Sequence, residues 1–270
     1  MNKDFEIKNG ILMKYNGVDK EVIIPDGIRS IDDCAFYNCS TLTSVIIPAS
    51  VTIIRSEAFQ SCKNLISVKF SKNIAIIEEF AFDSCISLLS VILPESIINI
   101  EDFAFCNCSS LTSVKFPENI RNIGSCSFRY CKNLTSAVIP DAVETVGKRA
   151  FSHHTQVYYH GIRCIPDESG EFDINSIIWD VFCNRPDEEV ITIIRKKFHI
   201  LFRYLIDHEN IEIIQKVLDS EKFITDKNID EWIQYAIDAQ KHHSQLMLIN
   251  YKNQKNWYQN IDEINHKFKL

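Results

Sequence analysis

The chain has 270 residues, of which 46% are hydrophobic and 24% charged, and its formal net charge at pH 7 is −7. This is the balance of a core-forming globular protein, so a disordered or collagen-like chain is excluded. No apolar run approaches the roughly 20 residues of a membrane-spanning helix, the N-terminus lacks the apolar core of a signal peptide, and the acidic charge argues against a nucleic-acid-binding protein. We therefore expect a cytoplasmic protein with no membrane insertion and no nucleic-acid partner.

Glycine and proline divide the chain into two parts. All seven glycines and six of the seven prolines precede residue 171, and Pro186 is the exception. Net charge divides in the same place, with −1 over residues 1–164 and −6 over residues 165–270. Because the polar stretch Pro166–Gly170 is typical of a connection, we predict one domain over residues 1–165 and a second over residues 171–270.

A period of 23 residues organises the first part. Five of the six phenylalanines that keep this period follow an alanine, and the six are Phe36, Phe59, Phe82, Phe105, Phe128 and Phe151. The same step relates five cysteines: Cys39, Cys62, Cys85, Cys108 and Cys131. Cys34, Cys126, Cys164 and Cys183 are interpreted as lying outside the period. A fixed period of this length indicates stacked repeats.

Each unit opens with a strand pattern. In Leu42–Pro48, the inward residues Val45 and Ile47 alternate with outward ones, and the proline ends the strand because it has no N–H to donate. A second short extended piece follows, and then an Ala-Phe-x-x-Cys corner. One unit cannot bury its apolar face alone, whereas units stacked roughly 4.8 Å apart can. We therefore predict an α+β repeat protein whose first part is a β-solenoid of about six 23-residue turns.

These units resemble the BspA-like leucine-rich repeats. The unit LTSVIIPASVTIIRSEAFQSCKN carries the strand ending in Ile-Pro, the Ser-Val-x-x-Ile segment and the Ala-Phe-x-x-Cys corner of that family, and the resemblance covers residues 21–157. It implies a leucine-rich-repeat solenoid whose first turn is covered by a hairpin through Asn9–Gly10. It also implies a protein that binds other macromolecules, often proteins and often at cell surfaces, without catalytic residues.

The outward positions of the strands form the candidate partner-binding surface. If Val45 and Ile47 point inward, the neighbouring residues point to solvent, and the predicted face consists of Ser44, Ile46, Ser67, Lys69, Ser90, Ile92, Ser113, Lys115, Ser136 and Val138. Exposed aliphatic residues on a strand indicate a partner. The alternative is that the serines hydrogen-bond along the stack and the isoleucines contribute only β-propensity.

The cysteines suggest two further possibilities. Cysteines on adjacent turns would lie about 5 Å apart, which is within the Cα–Cα separation that a disulfide allows, but side chains that point in parallel do not point at each other. A column of thiols does not make the tetrahedron that zinc requires, and Cys106-x-Cys108 lacks the usual spacing. Burial in the core is the simpler interpretation, so we expect no metal and no cofactor.

The second part has helical periodicity. Apolar residues recur at three- and four-residue intervals between Val190 and Leu205, and shorter helices are predicted near residues 210–219, 229–239 and 243–252. A weak echo at 31 residues relates Tyr204–Asp207 to Tyr235–Asp238, which resembles degenerate ankyrin-type helix pairs. We expect an all-α C-terminal domain that caps the solenoid as one body with it, with Val157–Gly161 as the last strand. Trp257–Phe268 is predicted as a final amphipathic helix.

The function favoured by these patterns is a non-enzymatic scaffold that binds a protein partner on the sheet face. A cell-surface adhesin is the alternative suggested by the family, and a thiol-based metal or redox protein is a more distant one. Neither the partner nor the oligomeric state follows from the sequence.

Overall fold

The computed structural model describes residues 4–159, 162–164, 170, 172–184, 186–255 and 257. The chain divides into two compact units, Met1–Ile174 and Asn175–Leu270. The first unit extends past the predicted connection because Phe172 forms an antiparallel bridge to Val146 in the solenoid.

The first unit is a β-solenoid, as predicted, and each turn contributes one strand to each of two columns. We call the first column the front strands: β3 (Glu21–Ile23), β5 (Ser44–Ile46), β7 (Ser67–Lys69), β9 (Ser90–Ile92), β11 (Ser113–Lys115), β13 (Ser136–Val138) and β15 (Gln156–Tyr159). The rear strands are β2 (Ile11–Tyr15), β4 (Ser30–Ile31), β6 (Ile53–Ile54), β8 (Ile76–Ile77), β10 (Asn99–Ile100), β12 (Asn122–Ile123) and β14 (Thr145–Val146).

The strands pair in parallel and in the register of the repeat. Residues 23 apart lie opposite each other, as Val45 does to Val68 in front and Ile54 does to Ile77 behind. The rear strands form one continuous sheet with β1 (Phe5–Lys8), whereas the front strands form three separate ladders. Residues at the same position of successive repeats therefore lie directly above one another in the stack.

Stacked aromatic rings fill the centre of the solenoid. Phe59, Phe82 and Phe105 are completely buried, and their neighbouring ring centroids lie 5.0 and 5.1 Å apart with nearly parallel planes. The column continues to Phe151 at one end. At the other end Tyr15 stacks on Phe36 at 5.1 Å, which the 23-residue period did not reveal because Tyr15 belongs to the covering hairpin.

The corners use left-handed backbone at two positions in most turns. In the second turn Glu57 has φ 58° and Ser61 has φ 60°, on either side of the Ala-Phe pair. Alternate N–H groups point along the stack, so that Phe59 donates to the carbonyl of Ala81 at 2.7 Å. The interpretation of Cys34 and Cys126 as outside the period is wrong, since both occupy the position of Glu57 in their own turns and share its positive φ.

Both ends of the solenoid carry additional segments. At the start, β1 pairs antiparallel with β2 through Asn9 and Gly10, both with positive φ, which is the predicted hairpin. At the other end, β16 (Ile162–Cys164) pairs antiparallel with β15, so the predicted final strand is followed by one more. Phe172 packs edge-on against Phe151 with ring centroids 6.2 Å apart and covers the last ring of the column.

The second unit consists of helices α1 (Ile174–Asn184), α2 (Glu188–Asp207), α3 (Ile211–Asp219), α4 (Ile229–Asp238) and α5 (His242–Gln254). Trp179 on α1 is buried, and its indole N–H donates to the carbonyl of Leu201 at 3.1 Å. No helix in the described part of the chain has the length and apolar character needed to cross a membrane. The predicted helix at Trp257–Phe268 lies, apart from Trp257, outside the described residues.

The 31-residue echo corresponds to a repeated turn between helices. Glu209, after α2, and Gln240, after α4, both have positive φ. The following residues close the same bond, because Asn210 donates to the Leu205 carbonyl and Lys241 donates to the Ala236 carbonyl. The ankyrin-like resemblance and the packing of this unit on the solenoid stay predictions.

Candidate functional site

The front strands present the predicted face to solvent. All ten residues named from the sequence lie on five of these strands, and all are exposed except Ser44, which is half-buried. Ile92 and Val138 are the most exposed of the aliphatic members, at 70% and 63%, while Ile46 is 39% exposed. The inward residues Val45 and Ile47 are buried, so the strand alternation is as expected.

The hydroxyls of the serine column are not used to hold the stack together. Within the described residues, the five serines of the face make no side-chain hydrogen bond to a neighbouring turn. Threonines do so instead: Thr43 donates to the carbonyl of Lys20 at 2.9 Å, and Thr112 donates to that of Leu89 at 3.0 Å. The serine hydroxyls are therefore left to solvent or to a bound molecule.

The exposed face extends beyond the ten residues predicted from the sequence. On β3, Ile23 is 69% exposed and pairs with Ile46, which adds a turn at one end. On β15, the half-buried Tyr158 pairs with Val138 and adds a turn at the other end. The Ile-Ile-Pro sequence at residues 23–25 matches the end of later repeats and could have identified the first of these.

An open groove lies beside the face where the front strands begin. Its volume is about 360 Å³, and it is lined by Thr43, Asn64, Ile66, Ser87, Leu89 and Ser110. Ile66 and Leu89 are 45% and 50% exposed. An apolar floor with hydroxyl and amide groups around it can accept an apolar side chain while hydrogen-bonding the chain that carries it.

The cysteine column lies in the core and not on this face. Cys62, Cys85, Cys108 and Cys131 have no exposed surface. Each thiol donates to the carbonyl of a corner phenylalanine on the preceding turn, for example from Cys62 to Phe36 at 3.0 Å and from Cys108 to Phe82 at 3.3 Å. The thiol adds a second hydrogen bond to a carbonyl that already accepts one in its own corner, as the Phe36 carbonyl does from the N–H of Cys39 at 3.1 Å.

Burial makes these thiols poor nucleophiles. Desolvation raises the pKa of Cys62 and of Cys131 to about 12, and it raises the pKa of Cys85 and Cys108 well above the usual value. The thiolate is the form that attacks electrophiles and binds metals. Within the described residues, no group of three or more histidine, cysteine or acidic side chains is arranged to hold a metal ion.

Acidic side chains on the corner edge serve the backbone of the solenoid. Glu78 accepts from the N–H of Ser56 at 3.1 Å, and Asp102 accepts from the N–H of Ser125 at 2.6 Å. Burial, followed by the like charges of Asp102 and Glu79, raises the pKa of Glu101. This edge is a set of turn-capping carboxylates and is distinct from the front face.

Comparisons with known proteins agree with this architecture. The family model for the BspA type leucine-rich repeat region matches six copies over residues 29–158. A leucine-rich repeat protein of T. pallidum is 27% identical, with a TM-score of 0.50, and the match covers 59% of this chain and 84% of that one. The pneumococcal vaccine antigen PcpA shares the fold at 19% identity and a TM-score of 0.52, over 67% of this chain and 43% of that one.

A comparison with proteins of curated function finds none similar to this chain. The six matched copies agree in number with the turns of the solenoid over the matched residues. Residues 29–158 are a BspA-type leucine-rich repeat region.

Proposed function

We propose that this protein is a non-enzymatic scaffold that binds a protein partner on the exposed face of the front strands. The observation that carries this proposal is the row of exposed aliphatic side chains on strands whose hydroxyl neighbours have no bond along the stack. Ile23, Ile92 and Val138 are each more than 60% exposed. Exposed aliphatic side chains gathered on one face of a protein indicate a binding site, and stacked repeats commonly use such extended surfaces for binding.

The surroundings of the central cysteines argue against a thiol-based metal or redox function. The central cysteines are buried, hydrogen-bonded and held in the thiol form, so they stabilise the stack. On β5, β7, β9, β11 and β13 the exposed polar side chains are serine hydroxyls and two lysines, without a carboxylate or histidine beside them, a set suited to contact. The chain therefore has the features of a binding surface.

Site-specific photo-crosslinking tests the location. A photoreactive phenylalanine analogue replaces Ile92 on the front face, and the same analogue replaces Ile98, which is 45% exposed but lies beside the rear strands of the same repeat. Irradiation in the source cells is expected to give a protein adduct from position 92 and none from position 98. An adduct from position 98 alone, or none from either, would contradict the proposal.

We propose an intracellular, reducing environment for this activity. Its support is the chemistry of the eight cysteines between residues 34 and 131, which are all thiols, with Cys34 exposed and Cys39 half-buried. Free thiols persist where glutathione keeps them reduced, whereas secreted proteins tend to pair them. Fractionation of the source cells with an antibody to this chain decides the matter, and recovery from the cell surface would favour the adhesin alternative.

A further inference from the structure

Lysines are the sole ionisable residues on the central part of the front face. The exposed residues of β5, β7, β9, β11 and β13 include no carboxylate, and their charged members are Lys69 and Lys115. Within the described residues neither lysine forms an ion pair. These two positive charges thus stand unneutralised on a protein whose net charge is −7.

We propose that the occupant of the front face is an acidic protein segment that lies along the stack and places one carboxylate on Lys69 and another on Lys115. This inference rests on the proposed function and adds the chemistry of the partner. Opposite charges fix the register of such a segment more than they add to its affinity. The exposed aliphatic residues contribute the apolar contact.

The spacing of the two lysines defines the segment. They occupy equivalent positions two repeats apart, and Ile92 has the equivalent position in the repeat between them, where it pairs with Lys115. Successive rings of the core are 5.0 and 5.1 Å apart at this height, so two turns advance roughly 10 Å. The partner must therefore carry carboxylates about 10 Å apart on one side, with apolar surface between them for Ile92.

The neighbouring aliphatic residues complete the match. Ile46 lies one turn before Lys69, and Val138 lies one turn after Lys115, so apolar and basic positions alternate along the stack. The groove at Ile66 and Leu89 is open beside the middle of this row and can receive one apolar side chain. Lysines that served only to keep the face soluble would show no preference for carboxylate spacing.

A stiff peptide provides a ruler for this spacing. Five repeats of Glu-Pro-Pro form a polyproline II helix, in which every third residue points the same way at intervals of about 9.3 Å. The control peptide has the same composition, with three contiguous glutamates and, after three prolines, two more, so that no two glutamates are three residues apart and none share a side at this spacing. Fluorescence anisotropy with the full chain is expected to show tighter binding of the spaced peptide, weakened by added salt because exposed charges are screened.

Charge reversal at the face tests the contact itself. The double variant Lys69→Glu, Lys115→Glu is expected to bind the spaced peptide about tenfold more weakly and to gain binding of the corresponding Lys-Pro-Pro peptide. The matched control is Lys14→Glu, Lys148→Glu, which makes the same change of charge at exposed positions off the front strands. Its affinity for the spaced peptide should stay within about twofold of wild type.

Three results would overturn the inference: equal binding of the two glutamate peptides, equal losses in the two double variants, or no binding of the spaced peptide. Any of these, together with a photo-adduct at position 92, would leave the front face as the binding site and disprove the acidic partner. Buried thiols that resist labelling in each variant establish that the solenoid is folded.

Discussion

The substitution Phe82→Ala tests the central claim that stacked rings hold the solenoid together. Phe82 is completely buried, stacks on Phe59 and Phe105 at 5.0 and 5.1 Å, and meets Phe70 edge-on at 5.7 Å. Truncation of a buried phenylalanine costs about 3–5 kcal/mol. Since three ring contacts are lost at once in the middle of the stack, we expect a value at the upper end of this range.

Phe80→Ala is the matched control on the same turn. Its ring is half-buried and stacks on one neighbour, Phe103, at 4.8 Å. The loss of one partly exposed aromatic pair costs about 1 kcal/mol. The two variants should therefore differ by about 4 kcal/mol in unfolding free energy, or roughly a thousandfold in the equilibrium for opening.

The chain offers separate probes for its two units. The buried thiols of Cys85 and Cys108 lie in the solenoid, and their labelling by a thiol reagent reports its opening. All three tryptophans, Trp179, Trp232 and Trp257, belong to the helical unit, so their fluorescence reports that unit separately. Labelling should accelerate much more in Phe82→Ala than in Phe80→Ala. Equal rates in the two variants would refute the reasoning that the buried column dominates stability.

Three further outcomes are expected from denaturation of the solenoid in urea, monitored by thiol labelling. Phe80→Gly should be more stable than Phe80→Ala by about 1 kcal/mol, because φ at this position is 56° and glycine has no Cβ to oppose it; equal stabilities would show that no backbone strain resides there. The contribution of the buried thiols to stability should be complete below about pH 8 and should be lost between about pH 9 and pH 12, because the folded pKa of Cys62 is about 12 and the unfolded thiol ionises first. By pH 10 this loss is about 1 kcal/mol per buried thiol, and Cys62→Ala should reduce the slope; an unchanged slope would argue against it. Gly124→Ala should cost about 1–3 kcal/mol, since a Cβ there would lie 2.5 Å from the Glu101 carbonyl carbon; an unchanged free energy of unfolding would contradict the clash.

Much of the candidate site could be predicted because it follows from alternation along a strand. Once Val45 is assigned to the core, Ser44 and Ile46 must point outward, and the 23-residue period repeats that assignment on each turn. The added turn at Ile23 was missed because Asp19 stands in the first repeat where the later repeats have leucine. The groove beside Leu89 was also missed, because a concavity depends on how neighbouring turns are offset.

Some features of the fold had no sequence signal. Left-handed backbone is usually marked by glycine or asparagine, yet here Glu57 and Phe80 adopt it, because the N–H groups of the corner must reach the next turn. Cys34 and Cys126 occupy the same position of the repeat as Glu57 and Phe80 and share their positive φ, although the four side chains have no chemistry in common. Strand β16 was not anticipated, since a three-residue strand is defined by its partner and not by its own pattern.

The amino-acid sequence by itself determined the number of turns, the residues of the ring column and the outward side of each front strand, because a covalent period of 23 residues leaves one way to stack identical apolar corners. The tertiary structure decided which polar side chains hydrogen-bond to a neighbouring turn and which do not. Threonine side chains, and not the serines of the front face, bond along the stack, and each buried thiol of the repeating cysteine column donates to the carbonyl of a phenylalanine one turn away. Such pairings depend on the height and twist between turns, and these are set only when the whole stack has formed.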